Sequence, residues 1–266
     1  MGYPSPLVAA HRKLTENVLT TSTPFSIMNR VNIGARMTIF NYEGGVVIWS
    51  GIPYCDVVKE ALEKIGNSNV TWLIVPNVQH TMAVKSCKEK FPNLKILAMG
   101  NAEKNQADYV FTSAEHGETL IDRPVLEKMG ITDPTILNHF EFVYLNNHKN
   151  KEIVLYDKTS KILCEADVLF NMEPELEQYS PATGYPEGFY PFSGWSFLGR
   201  YLQPYSIIGN YIVRERLNNG AMSAKGLQQV LNWDFETIVP CHGNTIEIDA
   251  KKAFKNLFSP VLDVKL

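Results

Sequence analysis

The segment Ile238-Val239-Pro240-Cys241-His242-Gly243 stops a β-branched run at a proline and follows it with an imidazole and a glycine. That order places His242 on a turn just past a strand end. Two other segments make a similar offer. The apolar run Val70 to Pro76 leads into Asn77-Val78-Gln79-His80, and the run Lys161 to Phe170 carries Asp167, with His148 upstream. Sheets of α/β proteins build their sites at strand ends. Histidines and an acid at several such ends read as a metal or acid–base site. Asn77 joins them, because its amide can orient a ligand or a substrate oxygen.

Each residue also has a purely structural reading. His242-Gly243 can be a turn fixed by hydrogen bonding, His80 can cap or staple the helix after it, and Asp167 can receive backbone N–H groups in a turn. His148 lies in the polar stretch Asn146-Asn147-His148-Lys149-Asn150, a composition that marks loops. His116 reads as a surface histidine and His139 as a strand histidine.

The elements that must position these residues come from a chain of 266 residues, 45% hydrophobic and 20% charged, which is enough for a substantial core. We take residues 1–266 as one domain with a long loop insertion near 172–195. Net charge is −3 and no Lys/Arg block stands out, which argues against nucleic acid and membrane-surface partners and leaves a small-molecule substrate. Cys55, Cys87, Cys164 and Cys241 form no CxxC pair and sit beside apolar residues, as free buried thiols of a reducing compartment do. No run has the length of a membrane span and the N-terminus lacks a signal pattern, so the expected location is cytoplasmic. Gly-x-Gly-x-x-Gly, the P-loop and the Gly-x-Ser-x-Gly elbow are all absent.

Periodicity predicts a hairpin over 36–52, with its turn at Tyr42-Glu43-Gly44-Gly45. A helix capped by Asp56 follows to Ile65, then a strand Val70–Val75, a helix after His80 with Ala83, Val84, Cys87 and Phe91 inward, and a strand Leu94–Met99. Residues 100–135 are polar with weaker elements. Phe140 to Leu145 alternates, and Glu152–Tyr156 with Lys161–Cys164 makes a second hairpin. Residues 196–217 read as helical, Ser223 caps a helix to Leu231, Phe235–Val239 is the last strand, and 250–258 is a closing helix. Two β-then-α halves fit an α/β four-layer sandwich.

From about residue 36 to about residue 250 the chain resembles the metallo-β-lactamase superfamily. It is most similar to a divergent branch that lacks the motif His-x-His-x-Asp-His. Pro76-Asn77-Val78-Gln79-His80, Trp233-Asp234-Phe235 and Val239-Pro240-Cys241-His242-Gly243 carry that closer likeness. The resemblance implies an αβ/βα sandwich, two mixed β-sheets flanked by helices. Aligned on the following helix, His80 falls where the motif has its Asp and Thr81 where it has its last His, while Pro76 and Val78 replace the leading pair. His148 falls at a metal-binding His, Asp167 at the Asp of a Gly-Asp-x-Leu-Phe segment, and His242 at the closing His. The retained set His80, His148, Asp167 and His242 implies one divalent ion with an open position. Zinc there supports hydrolysis of an ester, lactone or thioester, with Asp167, His242 and Asn77 as the catalytic group; ferrous iron supports oxygen chemistry as a mononuclear iron oxidoreductase. The alternative is a metal-free pseudoenzyme, a binding module of the same fold. The substrate is expected under the 172–195 loop.

Overall fold

A computed structural model describes residues 2–100 and 106–262. In chain order the strands and helices are β1 (Ala10–Lys13), β2 (Val18–Thr23), β3 (Ser26–Ile27), β4 (Val31–Asn32), β5 (Ala35–Tyr42), β6 (Gly45–Trp49), α1 (Asp56–Ile65), β7 (Val70–Ile74), α2 (Val84–Lys90) and β8 (Lys95–Met99). Then come β9 (Tyr109–Phe111), α3 (Ser113–His116), β10 (Leu120–Ile121), α4 (Arg123–Lys128), α5 (Pro134–His139), β11 (Phe140–Leu145), β12 (Glu152–Asp157) and β13 (Ile162–Glu165). The chain closes with α6 (Ile207–Tyr211), α7 (Gly220–Asn232), β14 (Thr237–Pro240) and α8 (Ala250–Phe258).

The larger sheet has the order β1-β2-β5-β6-β7-β8-β9, antiparallel up to β6 and parallel beyond it; the smaller has β10-β11-β12-β13-β14, with only β13 and β14 parallel. Both sheets are therefore mixed, as expected. Alternation sorts their side chains between two cores. Phe140, Phe142 and Tyr144 of β11, Ile153 and Leu155 of β12, and Cys164 of β13 face the larger sheet. Their neighbours Val143, Leu145, Val154, Tyr156 and Leu163 face outward, onto α7 and α8. Phe40 meets Phe140 edge-on at 5.0 Å and Phe111 meets Phe142 at 5.5 Å, so aromatic pairs close the space between the sheets. The helix α1 buries Val57, Val58, Ala61, Leu62 and Ile65 on the far side of the larger sheet, and Gly66 ends it in the left-handed conformation. Helices on both outer faces complete the four-layer αβ/βα sandwich.

Several local expectations differ. Asp56 is the first residue of its helix, whose N-cap is Cys55. Residues 196–217 do not form one helix: Gly194–Tyr201 is 3-10, α6 follows a break, and Ile212–Leu217 is a π turn. Gly209 packs on the Tyr201 carbonyl so closely that a side chain has no room there. Ser223 lies inside α7, where its hydroxyl donates to the Asn218 carbonyl at 2.6 Å. His139 ends α5 instead of lying in a strand, and stacks on Tyr42 at 3.8 Å. His116 is buried rather than on the surface, with its Nδ1 accepting from the Thr112 N–H. The 100–135 region holds β9, β10, the short helices α3 and α4 and the start of α5, with residues 101–105 outside the described part. Strand β2, Val-Leu-Thr-Thr-Ser-Thr, was not anticipated, because four of its six residues carry hydroxyls, yet it is fully buried between β1 and β5.

The 172–195 loop is pinned by its own aromatics. Tyr179 packs against the Tyr185–Phe189 pair, and its hydroxyl donates to the Phe25 carbonyl at 2.6 Å. All four cysteines are free, and Cys55 is only half buried. Among the described residues no helix is long and apolar enough to cross a membrane.

Candidate metal centre

The ends of β6, β7, β13 and β14 meet at one edge of the sandwich, and four turns deliver side chains there. After β7, Asn77 shapes the turn: its Oδ1 accepts the N–H groups of Gln79 at 2.8 Å and His80 at 3.2 Å. His80 then swings inward until its Nδ1 lies 3.0 Å from Ser50 Oγ, just past β6. Its Nε2 faces Asp167 Oδ2 across 3.8 Å. After β14, His242 donates from Nδ1 to the Gly34 carbonyl at 2.7 Å. A carbonyl only accepts, so Nδ1 carries the proton and Nε2 presents its lone pair, 3.4 Å from Asp167 Oδ1. Gly243 has a φ of 90°, and a Cβ there would strike the Asn171 backbone; only glycine lets the chain leave the site this way.

Asp167 is held from three sides. Its Oδ2 accepts from Asn77 Nδ2 and Asn150 Nδ2, both at 2.8 Å, which leaves Oδ1 for His242. The other Asn77 hydrogen goes to Glu152 Oε2 at 2.6 Å, and Glu152 Oε1 accepts the Ala166 N–H at 2.6 Å. Asn77 is fully buried with its amide saturated. It therefore positions the Asp167 carboxylate and does not reach a substrate oxygen, which corrects one of the two roles expected of it.

His148 corrects the expected ligand set. Its Nε2 donates to the Asp167 main-chain carbonyl at 3.2 Å, and its Nδ1 accepts the Asn150 N–H at 3.1 Å. With both nitrogens occupied, no lone pair is left for an ion. His148 braces the backbone behind the site. The atoms of His80, Asp167 and His242 do converge, all within 4.8 Å of one another.

Burial sets the electrostatics. Desolvation pulls His80 down to about 4, so near neutral pH it is an uncharged donor. The same cause brings His148 to about 4. Burial works against the Asp167 carboxylate, yet the polar groups around it hold it below its ordinary value. A neutral His80 lends Asp167 no charge, so we assign that stabilisation to the amide donors of Asn77 and Asn150. Glu152 is pushed well above the carboxylate range by burial and by Asp167 and Glu165. Glu165 is likewise raised by burial, and its Oε1 has no partner.

Sequence reasoning passed over the residue that ties this edge together. Arg36, in β5, is fully buried and donates from Nη1 to the carbonyls of Pro240 and Gly243, both at 2.6 Å. Those carbonyls bracket Cys241 and His242. Nε donates to Ser22 Oγ at 3.0 Å and Nη2 to Glu177 Oε2 at 3.0 Å. Arg36, Glu152 and Glu165 share one available signal, a charge next to or at the end of a largely apolar run, which demands a partner once buried. Cys241 carries no reactive thiol, since burial raises it well above its usual value.

A cavity of about 330 Å³ opens over His80, Asp167 and His242. Tyr3, Phe25, Ile27 and Ile33 form one wall and Val78 and Met82 another. Asn150 and Ser50 add neutral polar groups near the imidazoles.

No protein-family model and no curated protein matches the sequence. Solved structures do. A metallo-β-lactamase from Hirschia baltica is 12% identical, with 97% of this chain and 100% of that chain covered at a TM-score of 0.60. The metallo-β-lactamase FIM-1 from Pseudomonas aeruginosa, in its mono-zinc form, is 9% identical over 96% of this chain and 95% of that chain, at 0.55. A metal-soaked flavodiiron core from Synechocystis is 12% identical over 96% of this chain and 61% of that chain, at 0.58. With both sheets, their strand orders and the outer helices described above, these superpositions over nearly the whole length show that the chain has the metallo-β-lactamase-superfamily fold.

Proposed function

We propose that this protein is a metal-dependent hydrolase with a mononuclear centre held by His80, Asp167 and His242, acting on an uncharged ester, lactone or thioester. One observation carries the reading. Two imidazole Nε2 atoms and a carboxylate oxygen converge at the floor of a cavity, and each imidazole is oriented through its other nitrogen. Two donors about 2.1 Å from a tetrahedral zinc ion stand about 3.4 Å apart. The His242–Asp167 separation of 3.4 Å fits that spacing. Two acceptors facing each other at that distance also call for a cation or a proton between them. Zinc in such a site supplies an activated water and polarises a carbonyl.

The chain's own residues do the rest. Asn77 and Asn150 fix the Asp167 carboxylate, Gly34 and Ser50 orient the imidazoles, and the apolar walls favour an acyl group and keep bulk water away. Arg36, the cation lining the cavity, is engaged by protein acceptors, which disfavours anionic substrates. Among the described residues no second His/Cys/Asp/Glu cluster accompanies the first, which supports one ion rather than two. The Pseudomonas neighbour was itself described in a mono-zinc form. The free thiols support a reducing, cytoplasmic setting.

Two histidines and one carboxylate are also the donor set of mononuclear ferrous sites. The second reading is therefore an iron oxidoreductase, and the flavodiiron neighbour lends it support. Metal analysis of protein purified without an affinity tag separates the readings. About one equivalent of zinc, lost in His242→Ala and Asp167→Ala, supports the hydrolase; iron at that level supports the second reading. Less than about a tenth of an equivalent of any divalent metal in the unaltered protein overturns both in favour of a metal-free module. Chelator-sensitive hydrolysis of nitrophenyl esters, thioesters and lactones then tests the reaction class.

A further inference from the structure

The helical segment after the 172–195 loop carries an apolar face that no described part of the chain covers. Trp195, Leu198, Ile207 and Ile208 are 75%, 72%, 88% and 59% exposed. From Gly188 to Val213 the only charged residue is Arg200. Patches of this kind mark an interaction surface. Its rim is cationic: Arg30 lies over the Trp195 ring at 5.7 Å, Arg200 lies over Phe197 at 3.8 Å, and Arg216 is exposed at the far end. The acid beside Arg216, Glu215, is paired with Arg214 at 2.7 Å. The face also runs to the cavity. Ser196 Oγ accepts the Asn32 N–H at 2.8 Å, tying the segment to the β3–β4 hairpin, where Ile27 lines the cavity and Met28 stands exposed beside it.

We propose that this face docks on an anionic lipid surface, with the cavity mouth turned toward it. Exposed tryptophan, tyrosine and aliphatic side chains favour the boundary between headgroups and acyl chains, and arginines around them meet lipid phosphates. A second copy of the chain is a poorer occupant. Two such faces packed together would oppose the same arginines, and Gly188 to Val213 supplies no acid to meet them. The sequence disfavoured a membrane-surface partner because no basic block is visible in it. Arg30, Arg200 and Arg216 come from distant positions and form a rim only after folding.

The test uses the full chain and vesicles of phosphatidylcholine, with and without about 30 mol% phosphatidylserine, read by co-sedimentation and tryptophan emission. Trp49, Trp72 and Trp233 are buried, so a vesicle-induced blue shift reports Trp195. Binding and a blue shift on the anionic vesicles are expected, both much weaker on neutral ones. Ile207→Asp combined with Ile208→Asp should lower partitioning at least about tenfold. Arg30→Glu should lower it about fivefold or more. Trp195→Phe should remove the blue shift while most binding remains. Circular dichroism and metal content unchanged in each variant exclude misfolding as the cause. No vesicle binding, or binding untouched by the double variant, overturns the proposal. So does a dimer in sedimentation velocity that the double variant dissolves without any vesicle binding.

Discussion

Replacing Arg36 by methionine tests the architecture of the site most directly. The guanidinium donates to two buried main-chain carbonyls, Pro240 and Gly243, that flank His242. Methionine keeps much of the packing volume and supplies no donor, so the Pro240 carbonyl loses its partner, while the Gly243 carbonyl keeps the Gln178 amide at 2.8 Å. A buried polar group left unpaired costs about 1–3 kcal/mol, which puts the loss near 2 kcal/mol. The freed Glu177 adds little, since its side chain is partly exposed and also lies 3.4 Å from Arg12. At about 2–4 °C per kcal/mol for a chain of this size, Tm should fall by about 6 °C. Once the carbonyls relax, His242 loses its fixed approach to Asp167, and metal affinity should drop at least about tenfold, as it does when an outer partner of a ligand is lost. Arg36→Lys keeps the charge but cannot fork between two carbonyls, so its loss should be intermediate. Thermal melts of metal-free protein and chelator competition with the loaded form measure the two effects separately. A Tm change under about 3 °C with metal affinity intact would refute the clamp.

Three further outcomes are expected. Asn77→Ala strips the amide between Glu152 and Asp167 and should weaken metal binding about 10–100-fold in a chelator competition, whereas an unchanged affinity would mean Asn150 alone orients Asp167. His148, at about 4 when folded against an ordinary 6.5, leaves the unfolded chain to take up the proton first, so stability is lost as pH falls from 6.5 toward 4. In urea titrations across that window, His148→Gln should flatten the slope by about 1.4 kcal/mol per pH unit; a parallel profile sinks the assignment. Glu165 is shifted the other way, its folded value above its unfolded one, so its penalty grows as pH rises above 4.5. Glu165→Gln should therefore gain on the unaltered protein with increasing pH, and a pH-independent difference would show that the carboxyl is not strained.

The places of His80, Asp167 and His242 at strand ends were legible because hydrophobic runs, a proline and a glycine mark where strands stop, and these are local signals. The alternation of Phe140 to Leu145 was legible too, since side chains alternate on any strand, but the two cores it serves emerged only with the fold. Strand β2 was not. Its threonines and serine are buried by pairing with β1 and β5, a fact about neighbours distant in sequence. His148 sits within reach of Asp167 as the resemblance implied, but which atoms its nitrogens meet depends on backbone placement within a few tenths of an ångström, and the Asp167 carbonyl and Asn150 N–H took both. Arg36 and Glu152 announced only that a buried charge needs a partner; strand order chose the partners. Local composition thus determined the elements and the residues offered at their ends. Only the packing of two sheets decided which imidazoles share a carboxylate, which acids burial pushes above their ordinary range, and which arginines gather around an uncovered apolar face, because each depends on distances between segments far apart along the chain.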